Sequence, residues 1–186
     1  MRVVGGQFRG RTLTAPASQA IRPTTDRARE SLFNVLMHLG GEPIDQARVL
    51  DLFAGTGALG IEALSRGAKF CLFVDDGVES RGILRTNIEG LGLNGCTKVF
   101  RRDATSLGPA TPHEPFNVVF ADPPYRKGYG EKALQSAADN GWLATNSLVV
   151  LEEAADATLS MPEEFALFDA RNYGDTIIRL YRWNRS

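Results

Sequence analysis

The sequence contains few of the residues that would indicate a metal centre, a disulfide scaffold or a membrane protein. Only two cysteines and two histidines occur among the 186 residues, and their wide spacing matches no metal-ligand or disulfide pattern. The longest apolar runs, such as residues 70–74 and 116–121, are far shorter than the ~18–20 residues that a membrane helix needs. No apolar stretch near the N-terminus indicates a signal peptide. These absences predict a cytoplasmic protein with free thiols, no bound metal and no membrane association.

Positive charge comes almost entirely from arginine and is concentrated at one end of the chain. The sequence has 17 arginines but only four lysines, and a planar guanidinium can contact a phosphate through two hydrogen bonds. The first 30 residues carry a net charge of +4, whereas the remaining residues carry −5. This asymmetry favours a polyanionic partner such as nucleic acid, although chance clustering on a solvated surface would give the same pattern. The arginines concerned are Arg2, Arg9, Arg11, Arg22, Arg27 and Arg29.

The chain divides into a basic N-terminal extension, residues 1–45, and one domain, residues 46–186. Residues 2–8 and 11–15 flank a two-residue turn and predict a small basic hairpin. Apolar residues at helical spacing between positions 28 and 39 predict a helix that begins near Thr25 or Asp26. Thr24 or Thr25 is the candidate N-cap of that helix, which a Gly-Gly pair at 40–41 should end.

From residue 48 onward, predicted strands and helices alternate. The strands fall at 48–53, 70–75, 98–101, 116–121 and 147–152, and the helices at 58–66, 78–91 and 130–140, with a weak helix or loop at 104–110. The strand cores are continuous apolar runs, which indicates a parallel sheet covered by helices on both faces. Two later strands, 165–170 and 176–183, predict an antiparallel pair at the sheet edge. The fold class is therefore α/β: a doubly wound, mostly parallel, seven-stranded Rossmann-like sheet.

A glycine-rich turn between the first strand and its helix predicts a cofactor site. Gly55, Gly57 and Gly60 satisfy the pattern G-x-G-x-x-G, and Asp75 ends the next strand, where its carboxylate could accept hydrogen bonds from ribose hydroxyls. Asp51 precedes the turn, where a carboxylate would repel the pyrophosphate of NAD but attract the ammonium of S-adenosylmethionine. Alternatively, Asp51 binds the amides of its own loop. The pattern favours S-adenosylmethionine and leaves an NAD-dependent oxidoreductase as a distant alternative.

Asp122-Pro123-Pro124-Tyr125, at the end of the fourth strand, is the most specific motif in the chain. An exocyclic amine is a poor nucleophile because its lone pair is delocalised into the ring. Hydrogen bonds from its N–H groups to the Asp122 carboxylate and the Pro123 carbonyl would favour a more tetrahedral nitrogen, and Tyr125 would stack on the base. The motif therefore indicates methylation of an amino group on a planar base, although a strand-ending turn with a buried tyrosine is the structural alternative.

Together, the motifs Asp51-x-Phe53-x-Gly55-x-Gly57 and Asp122-Pro-Pro-Tyr resemble those of class I S-adenosylmethionine-dependent methyltransferases that act on amino groups. Residues 2–11, 22–34 and 51–66, and the Tyr-Gly-Asp-Thr element at 173–176, resemble the RsmD family more closely. That family methylates the 2-amino group of one guanine of 16S ribosomal RNA (guanine 966), and the resemblance covers most of residues 1–125.

The resemblance implies a cofactor, a partner and a set of site residues. The cofactor is S-adenosylmethionine, with S-adenosylhomocysteine as product and no metal, and the partner of this monomeric enzyme is 16S ribosomal RNA or a small-subunit assembly intermediate. Asp122, Pro123 and Tyr125 would hold the target guanine. The expected cofactor-binding residues are Asp51, Phe53, Gly55 and Gly57 in the loop, Asp75 at the ribose, and Asp103 and Ala104 at the adenine. The six N-terminal arginines would contact RNA phosphates.

Two of these expectations have alternatives, one for the role of Asp103 and one for the substrate. Asp103 could cap a helix instead of accepting a hydrogen bond from the adenine. The Asp-Pro-Pro-Tyr motif also suits an adenine 6-amino methyltransferase acting on DNA or RNA, although such enzymes usually carry a separate recognition domain for which this chain has no room.

Overall fold

The computed structural model describes residues 1–17 and 24–185. The helices are α1 (Asp26–Met37), α2 (Ala58–Ser65), α3 (Val78–Gly90) and α4 (Tyr129–Asp139). The strands are β1 (Arg48–Leu52), β2 (Phe70–Val74), β3 (Thr97–Phe100), β4 (Phe116–Ala121), β5 (Leu143–Ala154), β6 (Phe165–Tyr173) and β7 (Thr176–Trp183). No helix among the described residues has the length and apolar character that crossing a bilayer would require.

The seven strands form one sheet in the order β3-β2-β1-β4-β5-β7-β6. The first five strands of this order are parallel, whereas β7 runs antiparallel to both β5 and β6. This arrangement confirms the predicted α/β, doubly wound, mostly parallel sheet with an antiparallel edge pair. The chain reverses its direction of winding between β1 and β4, and ligands of such sheets bind beside the carboxyl ends of the strands at this switch point.

Two hydrophobic layers cover the sheet because the apolar strand residues alternate between its faces. On one face, α1, α2 and α3 pack over strand residues such as Val49 and Phe120, and the rings of Phe33 and Phe120 lie 5.6 Å apart. On the other face, α4 packs with Trp142 and the segment 104–110. That segment contains turns and no helix, so the weak helix considered there is absent.

The N-terminal segment lies against α2 and α3. The two arms of the predicted hairpin meet at an antiparallel bridge between Arg2 and Thr12, where the amides of Val3 and Leu13 donate across to the carbonyls of Arg11 and Met1 at 2.9 Å each. Other backbone donors of the segment bind the body of the protein. The amide of Val4 donates to the Glu62 carboxylate at 2.9 Å, and the amide of Phe8 donates to Ser65 Oγ at 2.9 Å. The N-terminal segment therefore shares the main hydrophobic core, to which its buried residues Val3 and Leu13 contribute.

Candidate active site at the carboxyl edge of the sheet

A cavity of about 240 Å³ opens beside the carboxyl ends of β1, β2 and β3, and we call it the glycine-loop cavity. Four of the predicted cofactor residues, Phe53, Asp75, Asp103 and Ala104, line it together. The full lining is Phe53, Val74, Asp75, Asp76, Arg102, Asp103, Ala104, Thr105, Pro124 and Tyr129. These four predicted cofactor residues therefore converge, as the parallel-sheet topology requires.

Asp75 joins the end of β2 to the glycine turn. Its Oδ2 accepts a hydrogen bond from the amide of Gly55 at 2.8 Å, and its Oδ1 accepts one from the amide of Gly77 at 2.8 Å. Because each carboxylate oxygen can accept a further hydrogen bond, and because Asp75 is only partly buried, the side chain can still bind two hydroxyl donors. Gly55 thus positions the carboxylate instead of lining the cavity itself.

Asp51 lies beneath the glycine turn and is only 1% exposed. Its Oδ2 accepts a hydrogen bond from the amide of Gly60 at 3.0 Å, which is the alternative that the sequence left open for this residue. Burial raises its pKa well above the usual carboxyl value, and the charge of Asp75 raises it further. Asp51 therefore holds the start of α2 in place and does not line the cavity.

The second and third glycines of the motif are required by packing. Gly57 has a φ of 82°, and a Cβ at this position would lie 2.3 Å from Leu84 Cδ1. A Cβ at Gly60 would lie 2.5 Å from the Phe73 ring. Both glycines therefore allow α2 to approach α3 and β2, so their contribution to the cavity is indirect.

Asp103 lies at the open side of the glycine-loop cavity. Its Oδ1 accepts hydrogen bonds from the Thr105 amide at 2.9 Å and from Thr105 Oγ1 at 2.7 Å. These two donors lower the pKa of Asp103 and keep it ionised. Asp103 therefore caps a turn, since no helix follows it, and its exposed carboxylate still borders the cavity.

A second cavity, of about 450 Å³, lies between the start of α1 and the strands β5 and β7, and we call it the α1 cavity. Its lining consists of Thr24, Thr25, Arg27, Ala28, Ser31, Tyr125, Glu152, Tyr173, Thr176 and Ile178. The Asp-Pro-Pro-Tyr motif connects the two cavities, because Pro124 lines the glycine-loop cavity and Tyr125 lines the α1 cavity.

Five side chains form a hydrogen-bonded network at the α1 cavity. Thr24 Oγ1 donates to Glu152 Oε2 at 2.8 Å and lies 3.5 Å from Asp122 Oδ2. The Tyr125 hydroxyl donates to Glu152 Oε1 at 2.5 Å and lies 2.8 Å from Thr176 Oγ1. Tyr125 is therefore held at its hydroxyl end and forms part of the cavity lining.

The sheet register explains why the two carboxylates of this network are neighbours. Ala121 of β4 pairs with Leu151 of β5, so Asp122 and Glu152 follow at the same level of adjacent strands. Burial raises the pKa of Asp122 well above the usual carboxyl value, and the charge of Glu152 raises it further. Burial also raises the pKa of Tyr125, so its phenol stays protonated and remains a hydrogen-bond donor.

Sequence reasoning did not identify Glu152, Thr24 or Thr176 as site residues. Thr24 was considered only as an N-cap, but Thr25 caps α1 by accepting a hydrogen bond from the Ala28 amide at 3.1 Å. The signal for Glu152 was available: it is a carboxylate that directly follows the apolar run of a buried strand. Such a charge is costly unless it is hydrogen-bonded or functional.

The predicted RNA-contacting arginines do not all lie on the surface. Arg2, Arg9, Arg11 and Arg27 are exposed, and Arg27 lines the α1 cavity. Arg29 is fully buried and donates to the carboxylates of Asp26 and Glu62 and to the carbonyls of Arg2 and Thr24. Its guanidinium is unavailable to a phosphate, so its assignment to RNA is wrong. Arg22 lies outside the described residues.

Glu62 is the centre of the contact between the N-terminal segment, α1 and α2. This 1%-exposed carboxylate accepts hydrogen bonds from the amides of Val4 and Gly5 at 2.9 Å each. It also forms ion pairs with Arg29 at 3.4 Å and Arg66 at 3.1 Å. Because Arg29 in turn donates to the Thr24 carbonyl at 3.3 Å, this buried cluster supports one wall of the α1 cavity.

Comparisons with known proteins place these features in a family. The model of the family described as conserved hypothetical protein 95 matches residues 1–182. The ribosomal RNA small subunit methyltransferase D of Escherichia coli K12 is 40% identical over 98% of this chain and 89% of its own length. The methyltransferase of the same name from Haemophilus influenzae is 35% identical over 98% of this chain and 93% of its own length. The solved structure of the Escherichia coli protein yhhF matches with a TM-score of 0.84 and 35% identity, covering 100% of this chain and 99% of that one.

Proposed function

We propose a function from one premise: the chain belongs to the family described as conserved hypothetical protein 95, the RsmD family. The proposed reaction is transfer of a methyl group from S-adenosylmethionine to the 2-amino group of a guanine in 16S ribosomal RNA. One observation carries the proposal: the Asp-Pro-Pro-Tyr motif connects the glycine-loop cavity to the α1 cavity. A methyl donor in the first cavity and a base in the second would then meet at this motif.

The hydrogen-bond acceptors and the apolar side chain that line the glycine-loop cavity fit S-adenosylmethionine. Asp75 retains acceptor capacity for two ribose hydroxyls, and the ionised Asp103 can accept a hydrogen bond from the adenine amino group. The ring of Phe53 lines the same cavity and provides apolar contact. When bound, the cofactor supplies an electrophilic methyl group on a sulfonium ion.

In the α1 cavity, the protein orients and polarises the target amine. The Asp122 carboxylate accepts a hydrogen bond from one N–H of the amine and the Pro123 carbonyl accepts the other, which directs the nitrogen lone pair towards the methyl group. The ring of Tyr125 stacks on the base, and its hydroxyl is held by Glu152 and Thr176. Asp122 is also the nearest acceptor for the proton that the methylated nitrogen gives up, and no strong base is needed because that nitrogen is acidic.

A base inside duplex RNA cannot reach Asp122, so the target nucleotide must leave its stack. The exposed arginines Arg2, Arg9, Arg11 and Arg27 are proposed phosphate contacts, which provide affinity without base selection. The cytoplasmic location and the monomeric state of the enzyme remain predictions.

The decisive experiment maps the modified nucleotide. Purified protein is incubated with labelled S-adenosylmethionine and with ribosomal RNA, small subunits and assembly intermediates from a cell that lacks the enzyme. We expect label on the 2-amino group of one guanine of 16S ribosomal RNA. Label on an adenine 6-amino group would support the alternative methyltransferase instead, and binding of NAD in preference to S-adenosylmethionine would contradict the methyltransferase assignment.

A further inference from the structure

Glu152 has more hydrogen-bonding capacity than its contacts within the protein use. It is 7% exposed and lines the α1 cavity. Its two oxygens each accept one hydroxyl hydrogen bond, from Tyr125 and Thr24, among the described residues. Because a carboxylate oxygen can accept two hydrogen bonds, each oxygen can accept one more. A buried carboxylate that the described residues stabilise through two neutral hydroxyls is costly, so a ligand that brings donors would be favoured here.

Glu152 lines this cavity, and Asp122, which lies 3.5 Å from the Thr24 hydroxyl that binds Glu152, follows at the same level of the adjacent strand. This register places their acceptor oxygens next to each other. The Watson–Crick edge of guanine presents its N1–H and its 2-amino group next to each other, and both are donors. Adenine presents an acceptor, its unprotonated N1, beside its 6-amino group. A second carboxylate beside Asp122 therefore matches guanine and repels the N1 lone pair of adenine.

We propose that Glu152 is the specificity-determining residue of the α1 cavity: it accepts a hydrogen bond from guanine N1–H while Asp122 accepts one from the 2-amino group. This inference rests on the proposed function, because it assumes that the α1 cavity receives the target base. It assigns base selection to Glu152 and amine activation to the Asp-Pro-Pro-Tyr motif. The two roles can therefore be separated by experiment.

Glutamine is a suitable replacement because it keeps the size of the side chain and both contacts within the protein. In Glu152→Gln, the amide oxygen still accepts from Tyr125, and the amide N–H₂ can donate to Thr24 Oγ1, which is able to accept. If Glu152 only held these two hydroxyls, the variant would treat all bases as the wild type does. If Glu152 reads N1–H, the variant gains a donor where the wild type has only acceptors.

The test compares guanine with 2-aminopurine at the mapped target position. 2-Aminopurine keeps the 2-amino group that receives the methyl group, but its N1 carries a lone pair and no hydrogen. Small-subunit RNA is ligated from synthetic fragments carrying either base, and single-turnover methyl transfer is measured at saturating S-adenosylmethionine. We expect the wild type to prefer guanine by about 10²-fold, the scale for losing one hydrogen bond to a charged group, and Glu152→Gln to reduce that preference to within about tenfold.

Two control variants distinguish recognition of the base by Glu152 from a purely structural role of Glu152 in the cavity. Glu153→Gln alters the neighbouring carboxylate, which is 2% exposed and accepts from the amides of Arg126 and Ala154 on the opposite face of the strand. Tyr125→Phe removes a hydroxyl that Glu152 holds. Both variants should leave the preference for guanine over 2-aminopurine unchanged, even where they slow transfer to both bases.

Each outcome decides the inference. A Glu152→Gln variant that slows transfer to both bases by the same factor would show a structural role and overturn it. A wild type that methylates 2-aminopurine as fast as guanine would overturn the inference without any variant. The inference can therefore be tested even if the Glu152→Gln variant folds poorly. In both cases methylation of guanine by the wild type would leave the proposed function intact, whereas wild-type transfer to adenine would overturn the proposed function and the inference together.

Discussion

The glycine-loop cavity and the α1 cavity differ in how far apart along the chain their interacting residues lie. In the glycine-loop cavity, the contact between Gly55 and Asp75 spans 20 residues. In the α1 cavity, Thr24 reaches Glu152 across 128 residues, and Tyr125 reaches Thr176 across 51. The first cavity is built by one strand–turn–helix unit and the strands beside it, whereas the second needs the N-terminal region, β4, β5 and β7 to be in place.

The donors that hold the carboxylates also differ between the cavities. In the glycine-loop cavity, backbone amides hold Asp75, and the amide and the hydroxyl of Thr105 hold Asp103. Among side-chain substitutions at an amide donor, only proline removes the contact. Hydroxyls of Thr24 and Tyr125 hold Glu152. We therefore expect the α1 cavity to lose function through single substitutions that leave the fold and the glycine-loop cavity intact.

The largest effect is expected for Asp122→Ala, which should lower the rate of methyl transfer by ~10²–10⁴-fold, the usual scale for a positioned acid–base or electrostatic group. Asp122→Asn keeps an acceptor oxygen and should retain part of the activity. Cofactor affinity, measured by calorimetry, should change little because Asp122 does not line the glycine-loop cavity. An alanine variant with near wild-type single-turnover transfer would contradict the mechanism of amine activation.

Removing the buried carboxylate of Glu62 should have the next largest effect, on stability. Glu62→Ala leaves Arg29 buried with its charge only partly compensated, and such losses cost about 3–5 kcal/mol of the free energy of unfolding. Urea unfolding of the variant and the wild type measures the difference. A loss below about 1 kcal/mol would show that the N-terminal segment is not held through this cluster.

A change in the glycine-loop cavity should act on cofactor binding. Asp75→Ala is expected to weaken S-adenosylmethionine binding by ~1.5–3 kcal/mol, the range for hydrogen bonds to a charged group. Glu79→Ala, an exposed carboxylate in the first turn of α3, serves as the control and should bind normally. Unchanged affinity in the Asp75 variant by calorimetry would remove the ribose assignment.

The raised pKa of Asp122 predicts a dependence of stability on pH. Burial and the charge of Glu152 disfavour the ionised form in the folded protein, so the wild type should lose stability as the pH rises from the ordinary carboxyl value through the raised one. Asp122→Asn cannot ionise. Its thermal stability relative to the wild type should therefore increase with pH over that window, and a constant difference would argue against the raised pKa.

The smallest effect is expected from the exposed N-terminal arginines. Reversing Arg9 and Arg11 to glutamate should reduce RNA affinity several-fold and flatten its salt dependence, because fewer counterions are released on binding. Charge reversal is preferable to deletion, since the same segment contributes Val3 and Leu13 to the core. Lys69→Glu, which reverses an exposed charge just before β2, is the control. Equal salt slopes for all variants would show that this segment has no contact with RNA.

Much of the fold could be predicted because its signals are local. The apolar runs of β1, β2 and β4 require burial on both faces, and the glycine turn and the Asp-Pro-Pro-Tyr motif mark where two strands end. The positions of Asp75 and Asp122 at one edge follow from the parallel topology alone.

The assignments that sequence reasoning missed depend on contacts between distant residues. Arg29 belongs to a charged N-terminal cluster in sequence, yet it is the most buried of the described arginines in that cluster because Glu62 pairs with it across 33 residues. Its helical spacing places it on the same face of α1 as the buried Leu32, Phe33 and Leu36, but the carboxylate that pairs with it lies outside this segment. Likewise, the hydroxyl of Thr24 binds Glu152 whereas the next threonine caps α1.

The sequence by itself determined the class of fold, the order of its elements and the two motifs that meet at the carboxyl edge, because hydrophobic periodicity and turn chemistry act over a few residues. Tertiary structure alone decided which charges are exposed and which are paired, and which acidic side chain stands beside Asp122. The physical reason is that burial and hydrogen bonding depend on strand register and on packing across the sheet. These bring Thr24, Glu152 and Thr176 together from three distant parts of the chain.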